Sequence, residues 1–96
     1  MKDRKTLEKH RDRILAIAER HGAEHVRIFG SVARGEAGPE SDIDILVRFR
    51  DGTTLLDQAA LIRELEAALD SRVDVISESG LKAGIRDRVL KEAVSL

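Results

Sequence analysis

The chain has 96 residues, with 17 Lys and Arg against 18 Asp and Glu, which gives a formal net charge of −1. This length suits one domain with a modest core, and the charge balance offers no basic excess to attract nucleic acid directly. The chain has no cysteine, so disulfides, thiol catalysis and Cys-ligated zinc are excluded.

The sequence shows no N-terminal signal pattern and no apolar run near the roughly 20 residues that a bilayer requires. We therefore expect a cytoplasmic protein without membrane association, formed as a single domain over residues 1–96.

The first half of the chain predicts a helix, a strand, a loop and a second strand. Residues 4–21 carry apolar and histidine side chains at three- and four-residue spacing, which is typical of an amphipathic helix. Residues 25–29 predict a short strand. The glycine-rich segment that follows, with the only proline at Pro39, predicts a loop that can begin with one helical turn. Residues 42–49 predict the second strand.

The second half adds a helix, a strand and a last helix. Thr54 can cap a helix over residues 55–69, residues 72–76 predict a third strand, and residues 81–94 predict the last helix. Its apolar stripe packs either into the core or onto a partner. The order α-β-(α)-β-α-β-α predicts an α/β (α+β) fold, a small mixed sheet with helices packed on one face.

Three aspartates are brought together by the parity of the strands. Side chains alternate between the two faces of a strand, so Asp42 and Asp44 share the face opposite the apolar residues of their strand. Asp74 likewise points away from the valines beside it. If both strands cover the same core, the three carboxylates emerge on one side of the sheet.

Clustered carboxylates repel one another, and a divalent cation removes that repulsion. Mg²⁺ prefers carboxylate oxygens and takes further ligands from substrate phosphates, and two such ions can assist an in-line displacement at phosphorus. Zinc fits less well, because no histidine falls within this group. The alternative is a turn ending at Asp42 and a solvated Asp44, and a D-x-D pair alone does not exclude it.

The segment Gly30–Ser31 follows a strand directly and can approach a phosphate closely. Arg34 lies about one helical turn later and can meet a phosphate oxygen. The alternative is an ordinary Gly-Ser turn with a solvated arginine. The segment matches neither the P-loop nor the G-x-G-x-x-G pattern.

Read together, residues 30–35 (GSVARG) and 41–47 (SDIDILV) resemble the signature of the polymerase β-type nucleotidyltransferases. The closest resemblance is to the minimal nucleotidyltransferases (MNT) of prokaryotic toxin–antitoxin pairs. Residues 72–75 (RVDV) resemble the later strand that carries the third carboxylate of the family. The resemblance covers nearly the whole chain and implies the nucleotidyltransferase (polymerase β-like) fold.

The resemblance also implies roles for individual residues. Asp42 and Asp44 would bind two Mg²⁺ ions, and Asp74 would complete the catalytic metal site. Gly30 and Ser31 would hold the triphosphate of the substrate. Two further residues of the signature, Arg34 and Ser41, are added as candidate nucleotide-binding residues.

Members that resemble this chain work beside a HEPN-type toxin, and some transfer AMP from ATP to it. The resemblance thus implies a protein-modifying antitoxin that uses an NTP. Two alternative functions stay open. One is a non-catalytic antitoxin that masks its toxin by binding alone. The other transfers a nucleotide to RNA or a small molecule, against which the lack of an added domain and of a basic surface counts. Both homo- and hetero-oligomers stay open.

Overall fold

The N-terminal segment forms two helices, where the sequence predicted one over residues 4–21. In the computed structural model, which describes residues 4–36, 38 and 41–96, these are α1 (Arg4–Lys9) and α2 (Arg11–Arg20). At the break the N–H of His10 donates to the carbonyl of Leu7, three residues back, at 3.0 Å. This bond makes a tighter turn than an α-helix allows, so the predicted helix is interrupted at His10.

Within the described residues, four strands form one mixed sheet in the order β3-β2-β1-β4. Strands β2 and β3 run parallel, while β1 is antiparallel to both of its neighbours. The predicted mixed sheet is confirmed, and it contains one strand more than the sequence predicted. The strands are β1 (Ala23–Phe29), β2 (Ile43–Phe49), β3 (Val73–Ser77) and β4 (Val94–Ser95).

Three further helices connect or follow the strands: α3 (Gly30–Arg34), α4 (Leu55–Leu69) and α5 (Ala83–Glu92), with a 3₁₀ turn at Glu78–Gly80. The predicted cap of α4 is present. The N–H of Asp57 donates to the hydroxyl oxygen of Thr54 at 3.2 Å, and the N–H of Thr54 donates to the Asp57 carboxylate at 2.9 Å. This reciprocal pair satisfies donors that a helix start otherwise leaves unpaired.

The core lies between one face of the sheet and helices α2 and α4. Both helices turn an apolar stripe inward, and Glu64 of α4 pairs with Arg20 and with His21, whose Nε2 lies 3.1 Å from the carboxylate. His21, at the C-terminal cap of α2, therefore contributes to the contact with α4. The largest fully buried side chains in this layer are Ile14, Ile28, Ile43, Ile45, Val47, Leu61 and Leu65.

The opposite face of the sheet is covered over part of its width. Leu46 is fully buried there, and its partner in the register is Arg27 on β1. Arg27 forms an ion pair with Glu78 of the 3₁₀ turn, with Nη2 and Oε2 2.7 Å apart. This contact covers the middle of the face and leaves the beginning of β2 accessible.

The C-terminal segment departs most from the prediction. Helix α5 ends at Glu92 rather than at residue 94, and Val94 pairs with Ile28 of β1 as part of β4. Leu96 packs against the core. No residue of α5 is buried, and Ile85 of its predicted apolar stripe is 54% exposed. None of the helices in the described ranges is both long and apolar enough to cross a bilayer.

Candidate active site

Asp44 and Asp74 are neighbours across the parallel pair of strands. They are Cα partners in the register between β2 and β3, and Ile43 and Val73 are the pair before them. Partners in one register point to the same face, and neighbouring strands lie about 4.8 Å apart. The side chains of Ile43 and Val73 enter the core. Both aspartates therefore lie on the opposite face of the sheet, as the parity of the strands predicted.

Asp42 immediately precedes β2, at the same end of the sheet as Asp44. The Nε of Arg72 donates to its carboxylate at 3.2 Å. The N–H of Ile43 donates to the carbonyl of Arg72 at 2.9 Å, so the parallel ladder begins at this point. The negative charges of Asp42 and Asp74 both raise the pKa of Asp44. The structure therefore places Asp42 and Asp74 within electrostatic reach of Asp44.

The folded structure disfavours the ionised form of Asp44. Its pKa is raised above the ordinary range, first by burial and then by the negative charges of Asp74 and Asp42. Arg34 acts in the opposite direction, and Glu92 adds to the rise. Within the part of the chain that the structure describes, no three His, Cys, Asp or Glu side chains gather closely enough to hold a metal ion unaided. A cation bound at these carboxylates would therefore need further ligands, such as phosphate oxygens.

Gly30 lies directly against Asp44. It is the first residue of α3, follows β1 without a linker, and has a φ of +72°. A Cβ at this position would lie 2.2 Å from Oδ2 of Asp44, well inside contact distance. The backbone therefore passes the carboxylate at a distance that only glycine permits.

The two candidate serines lie on either side of the loop between α3 and β2, Ser31 within α3 and Ser41 just before Asp42. Ser31 is half-buried in the first turn of α3, and its carbonyl accepts the N–H of Glu36 at 2.9 Å. The hydroxyl of Ser41 accepts the N–H of Gly38 at 3.0 Å, which ties the end of the loop just before Asp42. Pro39, predicted within this loop, lies outside the described residues.

Arg34, the last residue of α3, makes two ion pairs. Its Nε donates to Glu36 at 2.9 Å, and its Nη1 donates to Glu92 at the end of α5. These bonds, that to Glu92 first, raise the pKa of the guanidinium further above its already high value. Arg34 was predicted from its sequence motif, whereas Glu92 was not predicted. The two residues are 58 positions apart, and the pattern of a terminal helix gives no sign of which residue it will contact.

The gathered groups are three carboxylates, a close-approach glycine, a serine at a helix start and an arginine. Carboxylates bind hard cations, while the glycine turn and the arginine suit phosphate oxygens. Such a set fits chemistry at a phosphate. A family model described as the nucleotidyltransferase domain matches residues 7–96. The chain belongs to this family.

The nucleotidyltransferase has close relatives of similar length. It is 52% identical to the solved structure of a provisionally named minimal nucleotidyltransferase, with a TM-score of 0.89 over 98% of this chain and 96% of that one. It is 46% identical to the protein adenylyltransferase MntA of Thermococcus cleftensis over 81% of this chain and 79% of the relative. The family resemblance read from the sequence is confirmed.

A more distant match shows the fold alone. It comes from the structure of a tri-AMPylated HEPN toxin of Shewanella oneidensis in complex with an MNT antitoxin. The identity is 21% and the TM-score is 0.69, over 92% of this chain and 69% of the matched one. The likeness confirms that the order of strands and helices is that of nucleotidyltransferases.

Proposed function

We propose that this nucleotidyltransferase transfers AMP from ATP to a HEPN-type toxin protein and so acts as its antitoxin. The transfer breaks the bond between the α- and β-phosphates of ATP, releases pyrophosphate, and forms a bond from the α-phosphate to an oxygen of the acceptor. The acceptor hydroxyl releases its proton to solvent as the new bond forms.

The observation that carries the proposal is the position of Asp44. This carboxylate is the register partner of Asp74 on one side and fills the space beside Gly30 on the other. A group that binds Asp44 therefore also meets the turn at the start of α3. Phosphate chemistry needs both a site for cations and a site for phosphate oxygens, and Asp44 lies at the junction of the two.

The catalytic carboxylates in this proposal are Asp42, Asp44 and Asp74, which also serve as ligands for Mg²⁺. The pKa of Asp44 is raised first by burial and then by the negative charges of Asp74 and Asp42. Hard carboxylate oxygens are the donors that Mg²⁺ prefers. When bound, two Mg²⁺ ions would neutralise these charges and stabilise the charge that develops on the phosphate oxygens. Because Asp74 is exposed, an acceptor can approach the site from the side of Asp74.

The nucleotide-binding residues are Gly30, Ser31, Arg34 and Ser41. Gly30 permits the close backbone approach, and the Ser31 hydroxyl can donate to a phosphate oxygen. Arg34 supplies positive charge beside the triphosphate. Ser41 acts through the loop, since its hydroxyl accepts the N–H of Gly38 and so fixes the approach to Asp42.

The choice of a protein acceptor is supported by the names of the relatives. The protein from Thermococcus cleftensis is named a protein adenylyltransferase, and the fold neighbour from Shewanella oneidensis is an MNT antitoxin bound to an AMPylated HEPN toxin. The surface agrees with a partner, because Leu55 and Leu56 are 81% and 82% exposed. A reaction that consumes ATP agrees with the predicted cytoplasmic location, which stays a prediction.

The test is a transfer assay on the complex purified from its native host. The protein that co-purifies is incubated with Mg²⁺ and ATP, and the intact mass of both chains is measured. The parent chain should add one or more AMP units to its partner, and an Asp44→Asn chain should add none. A stable complex that gains no mass with any NTP would instead support an antitoxin that acts by binding alone.

A further inference from the structure

Glu92 is the one acidic residue that joins the C-terminal helix to the candidate nucleotide site in the described structure. Its carboxylate pairs with Nη1 of Arg34, and its side chain is 25% exposed against 45% for the arginine. The negative charge of Glu92 also contributes to the raised pKa of Asp44, so Glu92 lies within electrostatic reach of Asp44. Two short elements, α3 and α5, therefore meet through this ion pair.

The pair leaves Arg34 able to bind a further anion. A guanidinium has five N–H donors, and the contacts with Glu36 and Glu92 use one on Nε and one on Nη1. Neither contact uses Nη2. An arginine held at two points keeps its remaining donors in a fixed direction, whereas a free arginine loses rotamer entropy when it binds phosphate.

We propose that Glu92 is a positioning residue that holds the guanidinium of Arg34 toward the triphosphate of the bound nucleotide. The inference rests on the proposed function, since it concerns the same nucleotide. Glu92 does not touch the substrate and acts only through Arg34. Glu36 contributes less, because its side chain is 65% exposed and pairs of exposed charges contribute little.

The test is a double-mutant cycle on nucleotide affinity. Titration calorimetry with ATP and Mg²⁺ gives the Kd of four proteins: the parent, Glu92→Gln, Arg34→Ala, and the double variant. Asp87→Asn, which removes an exposed carboxylate from the same helix, is the matched control. Thermal unfolding of each protein checks that the fold is retained.

Glu92→Gln should weaken ATP binding about tenfold, and Asp87→Asn should leave the Kd within about twofold of the parent. The double variant should bind ATP no more weakly than Arg34→Ala alone, because without the arginine Glu92 has nothing to position. In transfer assays Glu92→Gln should raise KM about tenfold and leave kcat within about twofold.

Losses that add in the double variant would overturn the inference, because Glu92 would then act independently of Arg34. Tighter binding by Glu92→Gln would overturn it as well, since Glu92 would then compete with the phosphates. These outcomes differ from failure of the proposed function, in which the parent chain itself binds no nucleotide and the positioning role falls with it.

Discussion

The carboxylate of Asp44 occupies the place where residue 30 would carry a Cβ. An ideal Cβ on Gly30 would lie 2.2 Å from Oδ2 of Asp44 and 3.1 Å from its Cγ. The backbone of Gly30 also has a positive φ of +72°, which disfavours any other residue. The position of the Asp44 carboxylate therefore requires glycine at residue 30, although 14 positions separate the two residues in the sequence.

A Gly30→Ala variant should lose nucleotide transfer by about a hundredfold or more, because the new methyl group displaces the Asp44 carboxylate. Gly35→Ala is the matched control. Its φ is +75°, and a Cβ there would meet nothing within 4 Å. Both variants should lose about 1 kcal/mol of stability from the backbone conformation. Chemical denaturation and the transfer assay separate the two effects, and equal loss of transfer in both variants would contradict the account.

Asp44→Asn should raise the melting temperature of the protein in EDTA at about pH 7. The pKa of Asp44 is higher in the folded protein than its ordinary value of 3.8. A raised pKa means that the folded state holds this proton more tightly than the unfolded chain. The contribution of this group to stability is therefore full below the ordinary carboxyl range and is lost as the pH rises through the folded-state pKa.

The advantage of the asparagine variant should accordingly shrink as the pH falls through the raised folded-state pKa of Asp44 toward the ordinary value of 3.8. Asp87→Asn, which changes an exposed carboxylate on α5, should show no such pH-dependent advantage. Thermal unfolding of the three proteins across this pH range is the measurement. An Asp44→Asn variant that melts below the parent at neutral pH in EDTA would refute the electrostatic description of the site.

Two leucines of α4 should respond differently to truncation. Leu61 is fully buried between the helix and the sheet, whereas Leu56 is 82% exposed. Leu61→Ala should lower the free energy of unfolding by about 2–5 kcal/mol, because it leaves a cavity in the core. Leu56→Ala should change it by no more than about 0.5 kcal/mol. Denaturant titration of both variants tests this, and a large loss for Leu56→Ala would mean that its side chain has an unrecognised partner within the chain.

The sequence was sufficient for the elements whose pattern is local. Helix α4 begins after Thr54 as predicted, since both its apolar stripe and its capping residues are local signals. The shared face of Asp44 and Asp74 followed from strand parity together with the assumption that both strands cover the same core. These features need only neighbouring residues and the geometry of a helix or a strand.

The features that were missed depend on distant contacts or have no local sequence signal. Strand β4 has two residues, and only its pairing with β1 distinguishes it from the end of a helix. The break at His10 has no glycine or proline to mark it. At His25 a positive φ of 52° lies within an irregular register of β1, and nothing in the local pattern indicates it. The pair of Arg34 and Glu92 joins residues 58 positions apart in the sequence.

The most direct test of the central claim compares the three aspartates of the site in one transfer assay. Asp42→Asn, Asp44→Asn and Asp74→Asn are each given Mg²⁺, the co-purified partner and ATP labelled at the α-phosphate, with Asp87→Asn as control. The account predicts that each of the three loses labelling of the partner by about a hundredfold or more, while the control labels as the parent does. Full labelling by Asp44→Asn would contradict the account, because this residue joins the carboxylates to the glycine turn.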